Sequence, residues 1–332
     1  MSKRLYFILF LLSGGGFLFS QDTTYIKPYK YWGGFKVSTG VLTQHISLSS
    51  YLNANKNVDN VFVPNVKNTL SFGLNLKYIT LSYTFKVSNP YFKDSKFGTT
   101  KYSNLSLGSY YKRFGYEIFY RSYDGFFRPE NNYASAEIRP DISFTHTGAN
   151  LFFFGNSSKF SFRAAYSQSR KQIKSAGGFV MMAGLGFKNI SGDNSLITQS
   201  IDNSSYFGDF TGMKRLSFGL IELRPGYAYN FIFANGKWYI CPYLSAGTGI
   251  SLYNYATAVK NNNNTFAVHI DGKAAVSVGH DMERYFINFI FDADRNANYL
   301  TGKIILAHTT FTTSFTLGLR FGTKKKYKAK TK

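Results

Sequence analysis

TLSFGLNLKYITLSYTFKV, Thr69 to Val87, decides the fold. Up to Leu76 the even positions are apolar (Leu70, Phe72, Leu74, Leu76), and Thr69, Ser71, Gly73, Asn75 and Lys77 stand between them. Past Lys77-Tyr78 the parity inverts: Ile79, Leu81, Tyr83, Phe85 and Val87 alternate with Thr80, Ser82, Thr84 and Lys86. Side chains of a strand point to opposite faces with period two, so this is a hairpin with one apolar face and one face of small polar residues. Strands of about 9–11 residues with that alternation suit a bilayer-spanning barrel. A half-buried soluble sheet has the same alternation, so the decision rests on the rest of the chain.

Outward from the hairpin the pattern recurs. Strands are expected at 36–48, 102–112, 115–123, 141–154, 160–168, 178–187, 216–231, 237–253, 265–279, 284–294 and 309–321, which with the hairpin makes thirteen. In 160–168, Phe160, Phe162, Ala164 and Tyr166 are expected to face out and Ser161, Arg163 and Ser167 in. The segment 178–187 opposes its apolar face with Gly178, Gly184 and Gly186, which implies close approach to a plug, a ligand or a neighbouring backbone. A parity slip at Leu220-Ile221 reads as a bulge. Segments 53–68, 88–100 and 124–139 read as loops, 191–212 has no sustained alternation, and 296–308 is ambiguous. Closure with both termini on one side needs an even number of strands, so the expected fold is an all-β, antiparallel up-and-down transmembrane β-barrel of about twelve strands, with fourteen as the alternative.

Composition agrees. Of 332 residues 19% are aromatic while the hydrophobic share stays at 44%, a combination that fits strands with one face toward a polar lumen and aromatic girdles on the other. Residues 1–20 read as a signal peptide: Lys3 and Arg4, an apolar run from Leu5 to Phe19, and a small residue, Ser20, before Gln21. The run is interrupted by Ser13 and Gly14–Gly16 and falls short of a membrane helix. The expected organisation is therefore a signal peptide (1–20), a periplasmic lead-in (21–35), the barrel (36–322) and a basic tail (323–332), placed in the outer membrane of a Gram-negative bacterium. Cys241 is the sole cysteine, which excludes an intrachain disulfide framework and a lipid-modified cysteine at the cleavage site. The net charge of +22 has two readings: a biased codon composition, or attraction to anionic lipid phosphates. Export and the lack of a recognition motif argue against nucleic acid. The partners expected are outer-membrane lipid, including its anionic phosphates, and a small solute of unknown identity.

Function would reside on the inward face. Projecting the strands inward gives Glu117, Arg121, Arg163, Glu222, Arg224, His269, Asp271, Lys273, Asp292 and Arg320 as a candidate lumen network of mixed sign. Such charges are tolerated in a narrow lumen when paired or hydrated. They read either as a structural ion-pair filling or as a lining that selects a small solute. For hydrolytic catalysis His280-Asp281 are adjacent, and His45, His146 and His308 each have Ser or Thr nearby, as chance provides in a chain so rich in both. No spacing matches a metal site or a phosphate loop, and no cofactor and no catalytic residue is expected.

At 101–127 (KYSNLSLGSYYKRFGYEIFYRSYDGFF) and 139–178 (RPDISFTHTGANLFFFGNSSKFSFRAAYSQSRKQIKSAGG) the chain resembles an uncharacterised bacterial family, domain of unknown function 4421, of Gram-negative bacteria. YIKPY and GYAYNF extend the likeness toward both ends. The resemblance implies an outer-membrane barrel and brings no reaction, substrate or site residues. The functional expectation is an integral outer-membrane barrel with a charged lumen, acting as a narrow channel or a structural or surface-interaction protein. The alternatives are a lipid-active or proteolytic outer-membrane enzyme and a soluble secreted β-protein.

Overall fold

The computed structural model describes residues 22–323 apart from 54–55, 77–78, 90, 92, 131–132, 200, 203, 258–260 and 301–302. The expected signal peptide and the lysine-rich tail past Thr323 lie outside the described residues. The chain is an all-β, antiparallel, up-and-down transmembrane barrel of twelve strands. A short β1 (Ile26–Pro28) precedes the wall. The wall is β2 (Tyr31–Asn53), β3 (Lys56–Phe62), β4 (Asn68–Asn75), β5 (Thr80–Val87), β6 (Lys101–Tyr110), β7 (Phe114–Glu130), β8 (Ser135–Phe154), β10 (Ala176–Ser191), β11 (Met213–Phe233), β12 (Trp238–Thr257), β13 (Asn261–Asp281), β14 (Tyr285–Tyr299) and β15 (Ile304–Thr323). Between β8 and β10 lies β9 (Arg170–Gln172), which pairs with β1 and not with the wall.

β3 and β4 count as one broken strand. Both pair with β2, at Ile46–Asn53 and Gly34–Val41 respectively. The break falls at Val63-Pro64, where proline has no N–H for the ladder and Val63 instead exchanges backbone bonds with Phe127 at 2.9 Å. β15 pairs with β2 from Ile304↔Ser50 through Phe321↔Gly33 and closes the ring.

The alternation seen in the sequence is the inside–outside alternation of the wall. Phe72, Leu81, Leu105, Leu151, Leu185, Ile221, Leu223, Leu244, Ile250, Val268, Phe289, Phe315 and Leu317 form an exposed apolar belt, with Leu151 and Leu244 about two-thirds exposed at 65% and 67%. A belt of that extent on a monomer marks a lipid-facing surface. Trp32, Phe114, Phe233, Trp238 and Tyr285 are exposed at the strand ends nearest the termini, as an interfacial aromatic girdle.

Four expectations are corrected. Residues 160–168 are no strand: Phe162–Tyr166 is a helical turn packed inside the barrel, with Phe162, Ala164 and Ala165 buried. Phe162 and Tyr166, four residues apart on the turn, stack at 4.4 Å and both meet Tyr243, which is the packing of a helical turn and not of a pleat. Gly178 fits this, since a Cβ would lie 2.5 Å from Cδ1 of Phe160. Leu220-Ile221 is no bulge, because β11 holds register with β10 and β12 there. Leu216, Phe218 and Leu220 point inward; Leu216 and Phe218 are apolar because the mouth of the lumen is apolar at that height, and Leu220 lines the chamber below it. The segment 53–68 contains β3, and 124–139 is largely strand, with β7 and β8 running past the lipid around a bulge at Gly125. Gly125 has φ +92° and sits against the Thr99 carbonyl, a place for glycine alone.

Of the segment without periodicity, 191–212, Ser191 ends β10 and the described residues after it fold down into the mouth. Leu196, Ile197, Phe207 and Phe210 are buried against Phe62, Tyr123, Phe144, Phe218, Tyr253 and Tyr255, and Phe210 stacks on Tyr255 at 4.4 Å. Its backbone is held by Asn60, which donates to the Leu196 carbonyl (2.8 Å), and by Ser50, which donates to the Tyr206 carbonyl.

The floor is the helical turn 162–166 together with the β1–β9 ribbon, and wall side chains grip its carbonyls. Asn230 donates to Ser161 O (3.0 Å), Ser277 to Ala165 O (2.8 Å), and Asn75 to Ser167 O (3.2 Å). Arg320 donates to Gln168 O through Nε (3.1 Å) and Nη2 (3.0 Å), pairs with Asp281 (2.9 Å), and lies 3.6 Å from the Tyr29 ring centre. Tyr29 donates to the same carboxylate at 2.8 Å. Burial pushes its phenol well above the ordinary range, so it stays a donor.

The belt makes a direct prediction. Leu223→Arg, on the lipid face, should lower folding stability in bilayers by about 2–4 kcal/mol, whereas a charge on the lumen face a residue away is already native as Arg224. Denaturant titration in lipid vesicles measures it, and an unchanged midpoint would put Leu223 inside.

Candidate functional site: a charged chamber between two plugs

Between mouth and floor the wall encloses a chamber of about 460 Å³. One side is lined with hydroxyls. Ser38 meets Thr316 at 2.7 Å and Thr84 meets Ser71 at 2.9 Å, while Thr310, Thr312 and Ser314 continue the lining along β15.

The opposite side, β11 to β14, is charged, and two glycines of β12 determine how its groups meet. Gly249 stands in register between Glu222 of β11 and His269 of β13. With no side chain at Gly249, the imidazole crosses the intervening strand and places Nε2 3.5 Å from Oε2 of Glu222. One rung lower Gly247 is opposite Asp271, and a Cβ on it would lie 2.8 Å from Cα of Arg224. Across it Arg224 reaches Asp271 at 3.1 Å. Arg224 also meets Asp294 at 3.2 Å; Lys273 pairs with Asp292 and approaches Asp294 at 3.7 Å. The result is a continuous network in which Asp271, Asp292 and Asp294 have cationic partners, as burial demands, and Glu222 meets the His269 ring.

Most of the sequence-derived candidates meet here. Glu222, Arg224, Asp271, Lys273 and Asp292 line the chamber beside His269, and Glu117 and Arg121 line it from β7. Two do not join them. Arg163 lies on the floor turn and donates to Ser169 (3.1 Å), and Arg320 belongs to the floor lock. Five lysine, histidine or acidic residues of the lining escaped the inward projection: Lys36, His146, Lys188, Asp294 and His308. Lys36, Lys188 and Asp294 fall at or just past the expected strand ends, and His308 in the segment without a reading. The strands outrun the lipid-thick alternation that marked them. His146 was legible by parity from Asn150 and Phe144.

Glu222, His269 and Asp271 bring donor atoms within 4.8 Å of one another, a spacing that suits a cation. Arg224 already supplies positive charge to that cluster. His280 and Asp281 are adjacent in sequence and opposite in face: His280 packs on Trp238 of the girdle (4.3 Å between rings), while Asp281 points into the floor. Among the described residues no hydroxyl hydrogen-bonds the His269 ring, so no nucleophile–histidine–acid set assembles around it.

A family model described as a domain of unknown function, DUF4421, matches residues 20–321. The chain belongs to the DUF4421 family. No curated protein matches it in sequence. In fold this DUF4421 protein is similar to the beta domain of the Bordetella autotransporter BrkA, at 10% identity and a TM-score of 0.38 over 87% of this chain and 100% of that one. It is also similar to the translocator domain of the autotransporter NalP from Neisseria meningitidis (11%, 0.36, 86% and 88%) and to OmpT of Vibrio cholerae (6%, 0.31, 86% and 97%). None of these likenesses carries a function to the DUF4421 chain.

The crossing over β12 is testable. Gly249→Ala would collide with the Ile221 carbonyl and the His269 ring, and should cost about 1–3 kcal/mol. Gly219→Ala, where a Cβ meets nothing within 4 Å, should stay within about 0.5 kcal/mol of the parent. Midpoints of heat-modified migration on SDS gels rank the two, and equal midpoints would remove the packing role of Gly249.

Proposed function

We propose that the protein is exported by its N-terminal segment to the outer membrane of a Gram-negative bacterium. There it acts as a narrow solute path that is closed at rest. The supporting observation is the charged chamber confined between the mouth plug and the floor. A barrel serving only as an anchor would be better stabilised by apolar filling, since replacing buried ion pairs by packed apolar groups is often neutral or favourable. A polar chamber of this size is within the range that holds a small molecule. Lipid surrounds the belt, and the excess of basic residues favours anionic lipid phosphates at the rims.

The floor is the part able to yield. It is joined to the wall by side-chain bonds to carbonyls, with Arg320 at their centre, and the apolar contacts around Phe154, Phe162 and Tyr243 complete it. Opening on this reading is a swing of 155–175, not a change in the wall.

Planar-bilayer recording tests the proposal. The mature protein should show no steady open-pore conductance. Arg320→Ala, which loses the buried pair with Asp281 and its bonds to Gln168, should be less stable by about 3–5 kcal/mol and should conduct. Phe210→Asp loosens the mouth independently. A large steady conductance in the parent overturns closure. Silence in both folded variants and their combination overturns the solute path and leaves a structural barrel.

A further inference from the structure

Just under the mouth plug the chamber holds cations that the ion-pair network leaves out. Arg121, His146 and Lys188 occupy one rung of three neighbouring strands: Arg121 pairs in register with His146, and His146 with Lys188. All three line the chamber. Arg121 and Lys188 are like charges two strand spacings apart, with the imidazole of His146 and no counter-charge between them. Elsewhere in this lumen each cation of the β11–β14 side faces a carboxylate within ion-pair reach.

None does so here. Among the described residues no carboxylate lies within ion-pair distance of Arg121 or Lys188. Glu117, Glu222, Asp271 and Asp294 act on them only from farther away. Lys188 is 5% exposed, and its one polar side-chain partner among the described residues is the neutral Asn296 of β14, 2.9 Å from Nζ, so its chain spans the lumen. Arg121 rests its guanidinium over the Phe119 ring at 4.8 Å, and its buried Nε has no hydrogen-bond partner. Nδ1 of His146 is likewise buried without a partner. From β15, in register with Asn296, His308 brings its ring to 6.4 Å from that of His146. Phe144 of β8, against which the mouth plug packs, lies 5.3 Å from the His308 ring and forms an apolar roof.

We propose that Arg121, His146, Lys188 and His308 form a binding site for a small anionic group, a phosphate or a carboxylate, held beneath the mouth plug. The chemistry fits: a guanidinium edge and an ammonium supply charge-assisted donors, and neutral imidazoles add N–H donors with no further positive charge. Arg121 and Lys188 stand two strand spacings apart, about 10 Å at the backbone, a gap that two long side chains close around an ion. The site lies inside the wall, so its ligand is a solute and not a lipid headgroup. It stands apart from the question of conductance, because an anion can be taken up as the barrel folds even if the plugs never open.

The test is equilibrium dialysis of the mature protein, refolded in detergent micelles with inorganic phosphate in one arm and acetate in the other, at matched ionic strength. Saturable binding of at least one is expected, and the preferred arm tells phosphate from carboxylate. Lys188→Gln and Arg121→Gln should each weaken it about tenfold or more, as loss of a charged donor does, while Lys188→Arg retains it. Heat-modified migration verifies that each variant is folded, and if one fails to fold the other decides. Absence of saturable binding in the folded parent overturns the proposal. So does binding that both glutamine variants leave unchanged.

Discussion

In hydrocarbon an unpaired backbone N–H or C=O finds no water, so a sheet that crosses a bilayer must have no free edge. Pairing of β15 with β2 meets that constraint here, and much else depends on it. It requires an even number of crossings, which the broken β3–β4 strand satisfies by sharing β2 as a partner along two separate stretches. It also creates an interior. A barrel of about eight strands is filled by its own side chains, whereas twelve leave space that something else must occupy.

Two segments occupy that space, by different physics. At the mouth, 192–212 buries Leu196, Ile197, Phe207 and Phe210 among aromatic wall residues, and the driving force is removal of apolar surface from water. At the floor, the turn 162–166 ends in carbonyls that the lumen must satisfy, and Asn75, Asn230, Ser277 and Arg320 supply the donors. An apolar plug loosens gradually; a bonded floor holds or lets go with its few central groups.

Charges left between the plugs are arranged by the glycines of β12. By omitting side chains at 247 and 249, the wall lets partners two strands apart meet, so four carboxylates share Arg224, Lys273 and His269 within a small volume. The rung of Arg121, His146 and Lys188 stands across the lumen without such partners. Separation of the two sets gives the chamber a direction, cationic toward the mouth plug and anionic toward β12–β14.

Period-two alternation is a property of a pleated backbone between lipid and a polar lumen, and the sequence therefore determined the barrel, its strand order, its lipid face and most of its inward charges. Glu117, Arg121, Glu222, Arg224, Asp271, Lys273 and Asp292 were legible because parity alone assigns a face. Tertiary structure decided what parity cannot express. The stretch 160–168 imitates a strand yet lies inside the barrel. Leu216 and Phe218 are apolar and inward because a plug meets them. Lys36, Lys188 and His308 line the chamber from within β2, β10 and β15, at or past the ends of the alternation read from the sequence. Each of these outcomes depends on contacts between residues far apart in the chain, such as Gln168 with Arg320 or Lys188 with Asn296, and local alternation contains no trace of them.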